Sequence, residues 1–304
     1  MDGVMMRGAK TLATVVRRSN GTLAKNVHPL HAIYTGRWRK IPFTRGVIAM
    51  LEAMILGIEA ILFSTNVALQ DVEEPYSGEI KKESSSISKP MLWVMMFISL
   101  GLAVGLFSLL PLFLSKLIMP NQHGSLWFNL IEGALRLLIF LAYLWGVSFM
   151  PDIRRVFSYH GAEHKTIHAY EAGEELLPAN VQKYTTAHAR CGTAFLLAVM
   201  LIAILIFCLL GKQPLWILIP SRILLLPVIA SIAYEITQYG ARHMDNILLR
   251  LMAAPGLWLQ KLTTRQPDDQ MVEVAIIALK EVLIADGVIP AKPQSVEILA
   301  DSQL

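Results

Sequence analysis

The stretch TAFLLAVMLIAILIFCLL, residues 193–210, runs for 18 positions without a charged residue, and only its first residue is polar. A helix needs about 20 mainly apolar residues to cross the hydrocarbon core of a bilayer, because each residue adds only about 1.5 Å of length. Such a stretch is typical of a transmembrane helix, and it predicts an integral membrane protein.

Further apolar segments lie on both sides of this stretch. Residues 90–115 form a charge-free run, and residues 126–150 form a second apolar segment, whose Glu132 and Arg136 are spaced to pair on one helix face. Residues 215–234 are apolar but are interrupted by two prolines and an arginine, which predicts a kinked helix. The pattern therefore predicts about four transmembrane helices.

Residues 47–69 form a fifth apolar segment, which carries Glu52 and Glu59. Acidic residues on an otherwise apolar helix are typical of a helix that lies at the membrane surface. We interpret this segment as an amphipathic or half-inserted helix rather than a span.

The composition of the whole chain agrees with a membrane protein. Of 304 residues, 54% are hydrophobic and 16% are charged, against about 45–50% and about 25% in soluble domains. This imbalance excludes a soluble enzyme, and the two cysteines exclude a disulfide scaffold. The net charge of +4 comes without an organised basic and aromatic patch, so no nucleic-acid partner is expected.

Basic residues predict the orientation. Twelve Lys and Arg residues precede the first span, five lie between the second and third, and six follow the fourth. Because cytoplasmic loops are enriched in Lys and Arg, the N-terminus, the middle segment and the C-terminus are predicted to be cytoplasmic.

The predicted fold class is mainly α: a polytopic membrane protein with about four transmembrane helices, one amphipathic helix and a small α+β cytoplasmic cap that includes an N-terminal β-hairpin. The predicted order is an N-terminal cytoplasmic β-hairpin region (1–46), the amphipathic or half-inserted helix (47–69), a flexible linker (70–90), transmembrane helices one and two (91–150), a cytoplasmic His/Glu/Cys segment (151–192), transmembrane helices three and four (193–234) and a C-terminal cytoplasmic region with an amphipathic helix (235–304).

Turn and cap signals predict the elements outside the membrane. Short apolar runs flank Asn20-Gly21 within residues 11–28, which indicates a β-hairpin. Residues 71–89 are polar and Ser-rich, as linkers are. Residues 267–286 have the pattern of an amphipathic helix that Asp268 or Asp269 caps and that ends at Gly287.

The middle segment concentrates side chains that bind metals. His160, Glu163 and His164 form H-x-x-E-H, which places the two imidazoles one turn apart on a helix. Glu163 is then the candidate catalytic base for a metal-bound water. A lone H-x-x-E-H is a weak signal, because most chance matches are solvated helix faces.

His168 and Glu171 continue the same helix face. On an unbroken helix, His160 and Glu171 lie about 16 Å apart, which is too far for one ion. The helical ligand set is therefore His160 with His164, or His164 with His168 and Glu171, but not all four.

His188 and Cys191 strengthen the metal interpretation. They lie three residues apart just before the third span, and His and Cys are the usual ligands of zinc. Four of the eight histidines fall within 29 residues, beside one of the two cysteines. This concentration favours a divalent metal, with zinc first. Glu235 is a distant further candidate, and otherwise an interfacial carboxylate.

Four strings in the chain resemble the YqhQ-like family of bacterial and plastid membrane proteins, which is often described as a predicted metal-dependent enzyme family. They are YHGAEHKTIHAYE (Tyr159–Glu171), HARCGTAF (His188–Phe195), GVMMRG (Gly3–Gly8) and PGLWLQKLTTRQPDDQMVEVAI (Pro255–Ile276). The resemblance implies a multi-pass protein of the bacterial inner membrane. The family's pattern does not require a histidine at position 168, so the resemblance gives His168 less weight.

Two functions follow from these residues. The first is a membrane-bound metal-dependent hydrolase that acts on a peptide or a lipid-linked molecule at the cytoplasmic surface. Because the middle segment is too short for a domain of its own, we expect the N-terminal hairpin and the C-terminal helix to complete its site. The second is a non-enzymatic assembly or biogenesis factor, or a transporter-like protein, with a structural zinc site. Both have the lipid bilayer as a partner.

Overall fold

The computed structural model describes residues 2–73, 89–120, 125–188, 191–211, 215–243 and 245–290. The predicted linker falls mainly on residues 74–88, outside this part of the chain. The described elements are, in chain order, β1 Gly3–Arg7, β2 Thr11–Arg17, β3 Leu23–Pro29, α1 Ala32–Thr35, a 3₁₀ turn Arg37–Lys40, α2 Thr44–Glu73, α3 Lys89–Val104, a π-helical turn Gly105–Leu109, α4 Leu110–Ile118, α5 Leu126–Val147, α6 Pro151–Glu171, α7 Pro178–Val181, α8 Gly192–Leu210, α9 Leu215–Arg242, α10 Ile247–Thr263 and α11 Asp269–Ala285.

The structure confirms the predicted class, a mainly helical polytopic membrane protein with a small sheet. Within the described residues, four helices are long and apolar enough to cross a membrane: Thr44–Gln70, Phe97–Ile118, Leu126–Val147 and Gly192–Leu210. Three of them correspond to predicted spans. Predicted span 215–234 lies within α9, and its crossing of the membrane stays a prediction.

The remaining candidate, α2, has two different faces. Glu52 is 4% exposed and pairs with Arg7 of β1 at 2.8 Å and with Arg39 at 3.0 Å. The opposite face exposes apolar side chains at helical spacing: Leu51, Met54, Ile55, Ile58, Ile61 and Leu62. Length and composition alone do not separate a span from a helix in the membrane surface, so the amphipathic interpretation stays a prediction.

The predicted hairpin is present, and a third strand extends it. β2 pairs antiparallel with β3 from Thr11↔Pro29 to Arg17↔Leu23, and Gly21 takes the positive φ of 84° that the turn requires. β1, which the turn and cap signals did not predict, adds to the free edge of β2 from Gly3↔Val16 to Arg7↔Leu12.

The sheet packs on α11, the helix predicted at residues 267–286. Asp268 caps its first turn by accepting from the backbone N–H of Met271. The apolar face of α11 lies at the centre of a core formed with the sheet and α6, whereas Asp269, Glu273 and Lys280 on its other face are exposed. At its far end, Asp286 accepts from Thr11 Oγ1 at 2.8 Å and from the N–H of Ala9, which ties α11 to the turn between β1 and β2.

Helix α6 joins this core to the apolar helices. Its buried residues Tyr159, Ala162 and Ala169 face α11 and the sheet. Its other face carries the histidines and looks toward the start of α8 and the end of α10. The hairpin and α11 therefore pack on the side of α6 away from the histidines, and the expectation that they complete the site stays a prediction.

Candidate metal centre

The sequence of α6 explains why its histidines lie on one straight face. Pro151 stands in the first turn, where its missing N–H is not needed, and Asp152 complements the helix dipole there. The helix continues without a break to Glu171, and Gly173 follows with a positive φ of 72°. Residues 160, 164, 168 and 171 therefore recur at spacings of four, four and three.

The structure divides the candidate ligands into two groups of three. The first is His160, His164 and Cys191, and the second is His168, Glu171 and His188. Within each group, one ligand atom from each residue lies within 4.8 Å of the others. The prediction that the four helix residues do not share one ion agrees with this division. The predicted set of His164 with His168 and Glu171 does not form, because His164 belongs to the first group.

The ligand atoms of the first group lie near the spacing of a tetrahedral zinc site. His160 Nε2 lies 3.2 Å from Cys191 Sγ, and the rings of His160 and His164 are 4.4 Å apart between centroids. Two ligand atoms at the Zn–N and Zn–S bond lengths of about 2.0 and about 2.3 Å, at a tetrahedral angle, are separated by about 3.5 Å. Cys191 is the N-cap of α8, so the fold fixes the thiol at the start of an apolar helix.

Backbone carbonyls orient three of the histidines. A carbonyl oxygen only accepts, so the ring nitrogen that contacts it carries the proton and the other nitrogen keeps its lone pair for a ligand. Metal-binding histidines commonly have this arrangement, which fixes the tautomer and the ring orientation. The donated bonds are His160 Nδ1 to Thr263 O (2.9 Å), His164 Nδ1 to Thr186 O (2.6 Å) and His168 Nε2 to Ala187 O (2.8 Å).

The second group is built around His188, which is 7% exposed. Its Nε2 lies 3.4 Å from a carboxylate oxygen of Glu171, and its ring lies 4.6 Å from that of His168. Burial lowers the pKa of His188, and His168 acts in the same direction, whereas Glu171 raises it. The neutral form that burial favours is the form in which an imidazole binds a metal.

Gln260 holds His188 in place from α10. Its side chain is fully buried, and its Oε1 accepts from the His188 N–H at 2.8 Å while its Nε2 donates to the His188 carbonyl at 2.9 Å. Gln260 and Thr263 were not predicted as site residues. The available signal was the family-specific string Pro255–Ile276, which contains both.

Both groups open into one cavity of about 230 Å³. It is lined by His160, Glu163, His164, Ile167, Glu171, His188, Cys191 and Gly192. Glu163, the predicted base, is half-buried in its wall. Burial raises the pKa of this carboxyl group, and the nearby His160 opposes that effect. The arrangement therefore places the carboxyl group of Glu163 and five of the six candidate ligands, all but His168, around a space that admits solvent.

A close helix approach allows these contacts. A Cβ atom on Gly161 would lie 2.1 Å from the carbonyl oxygen of Arg265, in the connection between α10 and α11. Because glycine has no Cβ, α6 can approach the segment that supplies the carbonyl of Thr263. The backbone N–H of Arg265 donates to the carbonyl of Phe157 at 2.9 Å and ties the two together.

Glu235 lies in neither group. The guanidinium of Arg45 donates to its carboxylate, with Nε to Oε1 at 2.7 Å, and the backbone N–H of Phe43 donates at 3.1 Å. The structure thus places Glu235 in an ion pair between α9 and the start of α2. This position agrees with the interfacial alternative rather than with a ligand.

Comparison with known proteins places the chain in a family. Residues 41–285 match the family model described as "Protein of unknown function (DUF1385)", and the chain belongs to this family. A relative from Bacillus subtilis (strain 168), "Uncharacterized protein YqhQ", is 35% identical over 286 residues, which covers 93% of this chain and 90% of the relative. No solved structure matches the chain significantly.

Proposed function

We propose that this member of the DUF1385 family is a metal-dependent hydrolase of the bacterial inner membrane, with zinc held by His160, His164 and Cys191. One observation supports this most strongly. Backbone carbonyls fix the tautomers of His160 and His164, and their remaining nitrogens face a thiol across a shared cavity. Packed histidines without a ligand do not need this arrangement.

Three protein ligands leave a tetrahedral ion one open position, as catalytic zinc sites do. A zinc ion there would supply Lewis acidity and lower the pKa of a bound water. Glu163 lies in the same cavity and takes the proton from the attacking water. The substrate reaches the cavity from the cytoplasmic surface of the membrane. Both termini of the chain lie on this same side.

The second group extends the proposal to a second divalent ion. His168, Glu171 and His188 provide two nitrogens and a carboxylate oxygen, with ligand atoms as close as those in the first group. The rings of His164 and His188, one from each group, lie 5.8 Å apart between centroids. A second ion in the same cavity would help to position the oxygens of a displacement reaction, which is the usual role of a two-metal site.

Cys191 favours a second candidate function, a structural zinc site in a non-enzymatic assembly factor. A thiol is common in closed four-ligand sites, which fasten loops to one another. Here the ion would join the start of α8 to α6 and so fix the apolar helices to the core around α11.

Metal analysis of the purified chain tests both candidates. We expect two divalent ions per chain, with one lost in Cys191→Ala and the other in His188→Ala. A wild-type chain without stoichiometric metal would refute the metal proposal altogether, and one ion per chain would refute its two-ion form.

The variant Glu163→Gln then distinguishes a hydrolase from a protein with a structural zinc site. The change keeps the size of the side chain but removes the base, so the hydrolase should retain its metal and thermal stability and fail to complement a deletion strain. Full complementation by Glu163→Gln would contradict the hydrolase and leave the structural site.

A further inference from the structure

A second cavity, called the groove below, lies in the apolar part of the molecule between α8, α9 and α10. Its volume is about 350 Å³, and carbon atoms form most of its wall. Leu201 and Leu205 of α8 face Met252 and Ala253 of α10 across it. Among the described lining residues, Thr237 is the only one with a polar side chain.

This groove begins beside the metal centre. Ala194, at the end of the groove nearest the metal centre, is one helical turn beyond Cys191. Gly256 packs closely against it, since a Cβ atom on Gly256 would lie 2.7 Å from the Ala194 methyl group. Gln260, which holds His188, is one turn further along α10. The same two helices therefore carry the metal centre at one end and the groove along their length.

The depth of the groove matches one leaflet. Ala194 and Leu205 are eleven positions apart, which is about 16 Å along a helix. The hydrocarbon core of a bilayer is about 30 Å thick, so the groove reaches roughly its middle. Helix α8 is long and apolar enough to cross a membrane, and as a span it would hold this length within one leaflet.

From this juxtaposition we propose that the substrate is a lipid with a phosphate-bearing head, whose hydrocarbon chain lies in the groove and whose head reaches the metal centre. The proposal rests on the proposed function and names its substrate class. Divalent ions bind and polarise phosphate oxygens, and the groove provides an apolar surface for the chain.

Other occupants fit the groove less well. A peptide would bring backbone N–H and C=O groups that must be satisfied in the hydrocarbon region, and Thr237 is the one polar side chain described there. A hydrocarbon chain needs no partners and is narrow enough to enter.

Photo-crosslinking tests the position of the lipid. The full chain is placed in nanodiscs that contain phosphatidic acid with a diazirine in its acyl chain. A second set of nanodiscs contains instead an isoprenyl phosphate with a diazirine in its isoprenyl chain. After irradiation, we expect crosslinks concentrated in residues 194–205 and 249–257. The two probes distinguish a glycerolipid from an isoprenoid lipid. The unlabelled lipid that binds the groove better should reduce crosslinking at a lower concentration.

Two neighbouring alanines provide a variant and its control. Ala253 lines the groove, whereas Ala254 is exposed and lies outside it. Ala253→Phe should fill the groove and lower crosslinking there about tenfold, which corresponds to 1.4 kcal/mol of binding. Ala254→Phe should leave it unchanged, and both variants should keep their metal.

The outcomes separate this inference from the function on which it rests. Crosslinks that persist in Ala253→Phe, or that spread evenly over the exposed faces of α8 and α10, would overturn the lipid site. Groove crosslinks in a wild-type chain that binds no metal would instead refute the hydrolase, and the substrate role with it. Groove crosslinks that survive removal of the metal from a metal-binding chain support the inference, because the tail site does not depend on the ions.

Discussion

Replacement of Gln260 by leucine should weaken the second metal group while leaving the first intact. The change keeps most of the side-chain volume but removes both hydrogen bonds to the backbone of His188. Loss of a partner for a buried N–H costs about 1–3 kcal/mol. The His188 carbonyl still accepts from the N–H of Cys191 at 3.3 Å, so its loss is nearer the about 0.5–1.5 kcal/mol of one ordinary bond.

The two losses together, about 1.5–4.5 kcal/mol, are the free energy with which Gln260 holds His188 in place. Removal of a group that orients a metal ligand typically lowers affinity about 10- to 100-fold. We therefore expect Gln260→Leu to lower the affinity of the His188 group by about 10- to 100-fold and to lower the thermal stability. Gln260→Glu should not restore the group, because a carboxylate accepts from the His188 N–H but cannot donate to the His188 carbonyl, and its charge is costly to bury there.

Titration of the metal-free chain with cobalt measures the two groups separately. Only the first group contains a thiolate, so the charge-transfer band from sulfur to cobalt reports Cys191, and the ligand-field bands report total binding. Gln270→Leu is the matched control, because it makes the same change of side chain at an exposed position away from the site. Equal losses in both groups, or wild-type affinity in Gln260→Leu, would refute the role assigned to Gln260.

Three further changes test the fold around the site. Gly161→Ala should destabilise the chain by about 1–3 kcal/mol or more and abolish metal binding, because its Cβ would lie 2.1 Å from the carbonyl of Arg265. Gly146→Ala, where a Cβ meets nothing within 4 Å, should be close to neutral in the same thermal unfolding assay. Glu52→Ala should destabilise the chain by about 2–3 kcal/mol, somewhat less than the about 3–5 kcal/mol for breaking a fully buried pair, since its two arginine partners are partly exposed. If α2 lies in the cytoplasmic surface of the membrane, the thiol of Ala68→Cys should not react with a membrane-impermeant maleimide in whole cells. Labelling above the background of the unmodified chain would show instead that α2 spans the membrane.

Local patterns were enough to predict much of the molecule. The charge-free run at 193–210 predicts α8 because an apolar helix is the stable form of such a segment in lipid. Asn20-Gly21 and Asp268 predict the hairpin and the start of α11 because turns and caps depend on a few neighbouring residues. β1 was missed because a five-residue strand gains its stability from a partner, not from its own sequence.

The sequence by itself determined which side chains have metal-binding chemistry and that residues 160, 164, 168 and 171 share one helix face, because helical periodicity depends only on spacing. Only the tertiary structure decided how those ligands divide. His188 and Cys191 are three residues apart, yet they complete different groups, since α8 begins beside His160 while Gln260 holds His188 near Glu171. The carbonyls that fix each imidazole come from residues 186, 187 and 263, and long-range packing, made possible by the missing Cβ of Gly161, brings the last of them to α6.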